Sequence, residues 1–223
     1  MYLLAPTVLR VAPEEFPARV RARFAGELRR VGGFAQLSML GAQACLDAAE
    51  TEGPLGILWA SRLGALRAIR AALEDSLRRG EPAMPFTFIA MQPHLAGTLL
   101  AERGCKVTRS AHLHLAREEW PLLLLAALGW LAECARVLVG WVEESESPGV
   151  PHRSDWCLLR KRQGGGAIRL EEAPGEKPAV DAGLEDWIER IAAWQGAAPR
   201  AALLLRGSKG AWRFSAGDQP WPP

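Results

Sequence analysis

Apolar positions along the chain alternate between short runs with a period of two and longer stretches with a helical period. Residues 2–11, with Leu3, Leu4, Val8, Leu9 and Val11, predict a strand. Glu14 and Glu15 then precede a short helix to about Arg30, which Gly32-Gly33 stops. Residues 35–50 predict a second helix, with Leu37, Leu40, Ala44 and Cys45 on one side. The compact apolar run 55–60 reads as a buried strand. Leu63, Leu66, Ile69, Leu73 and Leu77 recur at three- and four-residue steps and make the clearest amphipathic helix of the chain. Gly80, Pro82 and Pro85 form a loop, and a further helix within 86–103 starts near Gln92-Pro93 and ends at Gly104.

A strand over residues 105–115 leads into a helix over 117–134 that is apolar nearly all round. Glu118 and Glu119 stand in its first turn, where carboxylates favour a helix N-terminus. Its uncharged core, residues 120–132, is 13 residues long. A bilayer requires about 20, so this helix is expected in a globular core and no membrane span is predicted. Residues 137–142 read as another buried strand, and the polar stretch 143–151 as an internal boundary. Beyond it, residues 155–162 and 167–172 flank Gly164-Gly165-Gly166 and predict a β-hairpin. Leu184, Trp187, Ile188, Ile191 and Trp194 mark a helix, residues 201–206 and 212–214 short strands, and residues 220–223 a loose tail. The alternation of strands and helices predicts an α/β fold: a mixed, mostly parallel sheet flanked by helices, with a buried central helix and a C-terminal β-hairpin/helix extension.

Composition narrows the setting. Hydrophobic residues are 49% and charged residues 23% of 223, with a net charge of +2, which fits a packed domain and excludes a disordered one. The basic residues are interspersed with acids, as Arg67, Arg70, Arg78 and Arg79 are with Glu74 and Asp75, so no nucleic-acid face is expected. Cys45, Cys105, Cys134 and Cys157 are widely spaced, which disfavours a disulfide framework or a zinc ribbon. With an N-terminus lacking a signal-peptide pattern, the expected compartment is the cytoplasm. The triple glycine has neither the spacing nor the following helix of a phosphate cradle, and no cofactor is expected.

The central segment, PAMPFTFIAMQPHLAGTLLAERGCKVTRSAHLHLAREEWPLLLLAALGWLAECARVLVGWVEE (residues 82–144), resembles the middle of a β-ketoacyl synthase. The shared parts are a proline-led loop, a helix with the small pair Ala96-Gly97, Gly104, a strand, a buried helix and a second buried strand. Upstream, FAQLSMLGAQACLDAAE followed by PLGILWAS is similar to the family's early helix and strand. The resemblance implies the thiolase fold, of which this chain would hold one half: a core over residues 1–145 and an extension over 146–223 completing the sheet, as one domain.

The family's nucleophile is a Cys at the turn between strand and buried helix, where a helix N-terminus stabilises the thiolate. The matching position here is Ala116. Ser110 and Cys105, the nearest hydroxyl and upstream thiol, lie elsewhere on the strand. The family's catalytic His pair comes from the C-terminal half, whereas this chain has only His152 past residue 145, on a polar loop. The resemblance therefore implies a chain without the condensation machinery. It is similar to the short chain-length-factor-like proteins of aryl polyene and related clusters. The implied partners are a full-length β-ketoacyl synthase, or a second copy, through the strand 105–115, and an acyl carrier protein. The alternative is an enzyme of different chemistry on the same fold, a malonyl-carrier decarboxylase or acyltransferase.

Other residues carry chemistry of their own. His112 and His114, two apart on a strand, face the same way. They could begin a metal site with Glu118, Glu119, Cys105 or His94, although no zinc spacing supports it, or fill an interface or polar pocket. Arg117, at a helix N-terminus, could bind an anionic group or point to solvent. His112, His114 and Arg117 are the candidates for residual chemistry beside the helix tip. Trp120, Trp130 and Trp141 could line an acyl tunnel or pack the core. Ser61 ends a buried strand in the manner of a nucleophile, without the GxSxG context.

Overall fold

The computed structural model describes residues 1–28, 31–49, 53–80, 85–147, 149–161, 167–173, 187–197, 202–207 and 210–216. The triple glycine, Leu184 and the tail lie outside them. The strands are β1 (Tyr2–Val11), β2 (Leu55–Ser61), β3 (Val107–His114), β4 (Arg136–Glu143), β5 (His152–Arg160), β6 (Ile168–Glu172), β7 (Leu203–Gly207) and β8 (Gly210–Ala216). The helices are α1 (Phe16–Phe24), α2 (Gly33–Asp47), α3 (Leu66–Arg79), α4 (Pro85–Ala90), α5 (Leu95–Glu102), α6 (Trp120–Trp130) and α7 (Trp187–Gly196), with a 3-10 turn at Arg117–Glu119. All eight strands join one sheet in the order β3-β2-β4-β5-β1-β6-β8-β7.

Alternation along the strands explains the layers. On β2, Leu55, Ile57 and Trp59 face α1, α2 and α5, while Leu58 and Ala60 face α6 and α7. Both faces are covered, so the inner strands β2 and β4 are near-continuous apolar runs instead of alternating with polar residues. The apolar stretch 120–130 forms α6, whose Trp120, Leu123, Leu124 and Ala127 are buried against β2, β4 and the C-terminal strands. Among the described residues no helix is long and apolar enough to cross a membrane.

The sheet is mixed, as predicted, but it is not mostly parallel. Only β2–β3 and β2–β4 are parallel, and the other five pairings are antiparallel. Connection length is the reason. The eight residues between β4 and β5 are fewer than the dozen or so a parallel crossover needs. The predicted hairpin of 155–162 with 167–172 is also corrected: β1 lies between β5 and β6 and pairs with both. A turn signal is local and carries no trace of an N-terminal strand inserting there. The hairpin of the extension is instead β7–β8. β1 accommodates Pro6 by a bulge between Leu4 and Thr7, with Ala5 at φ 46°.

Two helices depart from their sequence signals. α4 forms where the prolines predict a loop. The stripe of α3 is amphipathic as expected, yet Leu73 and Leu77 on it are 56% and 84% exposed. Among the described side chains of that helix only Ala72 is buried.

Candidate functional site at the ends of the parallel strands

The three parallel strands β3, β2 and β4 end together, at His114, Ser61 and Glu143. In open α/β sheets this carboxyl edge is where loops converge and ligands bind. Parallel register sets Trp59 beside His112 and Ser61 beside His114. Gly64, at φ 58°, then turns the chain from β2 toward α3.

Ser61 is fully buried, and its Oγ accepts the Gly64 N–H at 2.8 Å. The same Oγ stands 2.9 Å from His112 Nε2. The His112 ring is packed edge-on by Phe34, at 5.4 Å between centroids, and by His114, at 4.8 Å. Burial, reinforced by the neighbouring His114, pushes the His112 pKa down to about 3. The imidazole is therefore neutral at neutral pH, and its Nδ1-protonated tautomer lets Nε2 accept the Ser61 hydroxyl proton.

This is the distance of a serine–histidine nucleophilic pair, but two features disarm it. A general base works best with a pKa near the operating pH, and His112 is held far below. The Ser61 hydroxyl is also closed to solvent. The pair acts as a polar clasp that ties β2, β3 and the Gly64 turn together. Sequence reading singled out both residues separately. Their contact, across 51 residues, has no local signal.

Ala116, φ −67° and ψ 153°, is the extended residue that caps the 3-10 turn leading into α6. Its own N–H is taken by Glu119 Oε2 at 2.9 Å, and its carbonyl accepts the Glu119 N–H at 2.9 Å. The side chain at the tip of the buried helix is thus a methyl group. Arg117 is the first residue of that turn. Cys105 is seven residues before His112, about 23 Å along an extended chain, which removes it as a shared metal ligand. No group of three or more metal-ligating side chains occurs among the described residues. Cys45 and Cys157 are buried and their pKa values are raised by desolvation, Cys45 to about 12, so neither is an activated thiolate. Cys105, half-buried, is also raised by desolvation.

Of the tryptophans, Trp120 and Trp141 are buried in the core and Trp130 is half-buried. Trp120 stacks on Trp187 of α7 at 5.2 Å and 14°, so it serves core packing. Trp130 receives Arg109 over its ring in a cation–π contact, 5.2 Å to the centroid.

The carboxyl edge also holds a cluster that sequence reading missed. Glu143 Oε1 accepts the Arg62 N–H at 2.9 Å, joining β4 to the end of β2. Glu144 lies against the first turn of α2, where a Cβ on Gly33 would stand 2.5 Å from its Oε1. Burial raises the Glu144 pKa to about 7, against the pull of Arg67. His152 opens β5 and is buried, not on a polar loop as its neighbours suggest. Its Nδ1 accepts the Ser145 N–H at 3.0 Å and its ring meets Phe16 edge-on at 5.2 Å. These groups were invisible because Glu144 and His152 come from a stretch whose prolines and charges carry only a loop signal.

No family model matches the chain, and no curated protein matches it in sequence. Solved structures do match its fold. One is the ketosynthase ApeO in complex with its chain length factor ApeC from Xenorhabdus doucetiae, at 17% identity, a TM-score of 0.60, and coverage of 96% of this chain and 99% of that chain. A second is the ishigamide ketosynthase/chain length factor, at 13% identity, a TM-score of 0.55, and coverage of 97% and 99%. A third is AntDE:AntF, a type II PKS acyl-carrier protein in complex with its ketosynthase bound to the hexaketide, at 12% identity, a TM-score of 0.63, and coverage of 97% and 99%. The chain thus has the ketosynthase-like fold that its central segment resembles.

Proposed function

We propose that this chain is a non-catalytic, chain-length-factor-like accessory subunit of a β-ketoacyl synthase. It works in acyl-carrier-dependent fatty-acid, polyketide or aryl polyene synthesis in the cytoplasm. The observation that carries this reading is the methyl group of Ala116 at the tip of α6, in a fold shared with structures of ketosynthase and chain length factor. A condensing enzyme needs a nucleophile at that tip. The Ser61–His112 contact at the carboxyl edge has a buried hydroxyl and a base kept neutral.

In this reading residues 1–223 form one domain, with residues 146–223 completing the sheet. The edge strand β3 meets the partner synthase, which supplies the reacting thiol. The test is reconstitution. The purified chain, the full-length synthase of the same cluster and malonyl-loaded carrier are combined, and condensation is followed with each component omitted. The chain alone is expected to give neither condensation nor decarboxylation, and its addition is expected to change the rate or product length of the synthase. Decarboxylation by the chain alone, abolished in the His112→Gln/His114→Gln/Arg117→Gln variant, would instead establish the alternative enzyme.

A further inference from the structure

α3 is not seated on the sheet by its apolar stripe. Leu73 and Leu77 are exposed, Leu66, Ala68 and Ile69 are half-buried, and only Ala72 among its described side chains is buried. The broadest contact of α3 is with α4 and not with any strand. Few buried apolar contacts mark a segment of low local stability. Polar ties to the end of β4 and the residues after it stand where a hydrophobic seat would be.

The α3–α4 pair is pinned at both ends. At the near end Gly64 donates its N–H to Ser61 Oγ, and a Cβ on it would stand 2.8 Å from Cε1 of His114. At the far end the Ala90 carbonyl of α4 lies on Gly32, where a Cβ would stand 2.2 Å from the oxygen. That approach of backbone to backbone requires glycine. Between the pins α3 borders a cleft of about 400 Å³ lined by Pro13, Arg67, Arg70, Glu74, Ser145 and Glu146. Arg70 Nη1 donates to Glu146 Oε2 at 2.6 Å. Arg67 is the cation whose charge acts on Glu144.

Glu144 sits between α2 and α3. α2 presents to it the uncharged first turn at Gly33, beside Phe16 of α1. α3 presents Arg67, and β5 presents His152, whose ring accepts the Ser145 N–H. Its own segment adds Glu143, which holds the Arg62 N–H, and Glu146. Burial, opposed by Arg67 and reinforced by Glu146, is what raises the Glu144 pKa to about 7.

We infer that α3 and α4 form a strap over the carboxyl edge of the parallel strands, pinned at Gly64 and Ala90 and latched between them at Glu144 and Glu146, which unlatches while the sheet stays folded. The strap is independent of the accessory-subunit reading. Unlatching hydrates Glu144 and returns its carboxyl to the ordinary range near 4.5. A carboxyl whose pKa is higher in the latched state favours that state in acid. The latch is therefore complete below about pH 4.5 and weakens as pH rises through 7. His152, lowered by burial and by Arg67, works in the opposite sense, but Phe16 packs its ring independently of α3.

Hydrogen exchange on the full chain tests the strap. Isolated helices of fewer than about 12–15 residues fray in water, and α3 has 14, so it loses protection once released. The amides of residues 66–79 are expected to exchange ahead of those of α2. Their opening constant, corrected for the intrinsic pH dependence of exchange, is expected to rise by up to about 70-fold between about pH 5 and about pH 8. In Glu144→Gln, which cannot ionise, that rise should vanish. Arg70→Glu should raise the opening constant by about threefold or more, and adding Glu146→Arg should restore it by rebuilding the ion pair in reverse. Both residues lie at the surface, and circular dichroism checks that the variants fold. Opening constants of α3 that equal those of α2 at every pH would show that it leaves only with the whole fold, and would overturn the strap. A pH-dependent rise that persists in Glu144→Gln, or a charge swap that does not restore protection, would overturn the latch.

Discussion

Replacing Gly140 by alanine tests how tightly the sheet and α2 are locked. Gly140 stands in β4 directly opposite Trp156 of β5. A Cβ there would lie 2.5 Å from Cδ2 and Cε3 of the indole and 2.6 Å from Cζ3. Carbon atoms pack comfortably at about 3.5–4.0 Å, so ring or strand must yield by about 1 Å. The ring has nowhere to go. On the α2 side, a Cβ on Gly41 would stand 2.6 Å from Cδ1, so helix backbone is already against the indole. Trp156 Nε1 donates to Ser154 Oγ at 2.8 Å, and that hydroxyl donates to the Leu37 carbonyl at 2.9 Å. Overpacking costs about 1–3 kcal/mol. Displacing the indole also strands a buried N–H, about 1–3 kcal/mol more. The lower chain entropy of alanine in the unfolded state offsets about 0.4–1 kcal/mol.

The net destabilisation is therefore about 3 kcal/mol, a large share of the 5–15 kcal/mol typical of a folded protein. With a urea m-value of about 3 kcal/mol/M, the midpoint of unfolding should fall by about 1 M. Adding Trp156→Leu to Gly140→Ala should cost less than the sum of the two single changes, with a coupling of about 1 kcal/mol or more. A Gly140→Ala midpoint within about 0.2 M of the wild type, or strict additivity in the double variant, would refute the locked-indole argument.

Three further outcomes follow from the same geometry. Glu144 has a native pKa raised from 4.5 to about 7, so its contribution is fully present below pH 4.5 and lost as pH rises to 7; Glu144→Gln should flatten that limb and stabilise the protein at pH 8 by up to about 3 kcal/mol, read from urea melts across pH. His112, lowered from 6.5 to about 3, works in the opposite sense: its stability is complete above pH 6.5 and drains as pH falls toward 3, and His112→Gln should remove that acid sensitivity at the cost of the Ser61 contact. Asp155 is buried and bonded to Arg10, to Arg153 Nε and to the Leu9 N–H, so Asp155→Ala should cost about 1–3 kcal/mol in thermal or urea unfolding, because Arg153 and the Leu9 N–H lose a buried acceptor while Arg10 keeps Glu189.

The chain itself determines most of its elements, because periodicity is local. Alternation and apolar runs mark β1, β2 and β4, and the uncharged block 120–132 marks the buried helix, since each pattern is written within a few turns or strand residues. The methyl group at residue 116 is legible in the same way, as a residue at the junction of two predicted elements. What only the tertiary structure decided are relations between distant segments. β1 separates β5 from β6 because an N-terminal strand with two open edges finds partners on both sides, which no turn signal reports. Ser61 and His112 meet because parallel register carries both to one edge of the sheet. Leu73 and Leu77 of α3 have the spacing of a core helix, yet they face water. Periodicity says which side of a helix is apolar, whereas the arrangement of every other layer decides whether anything lies against it.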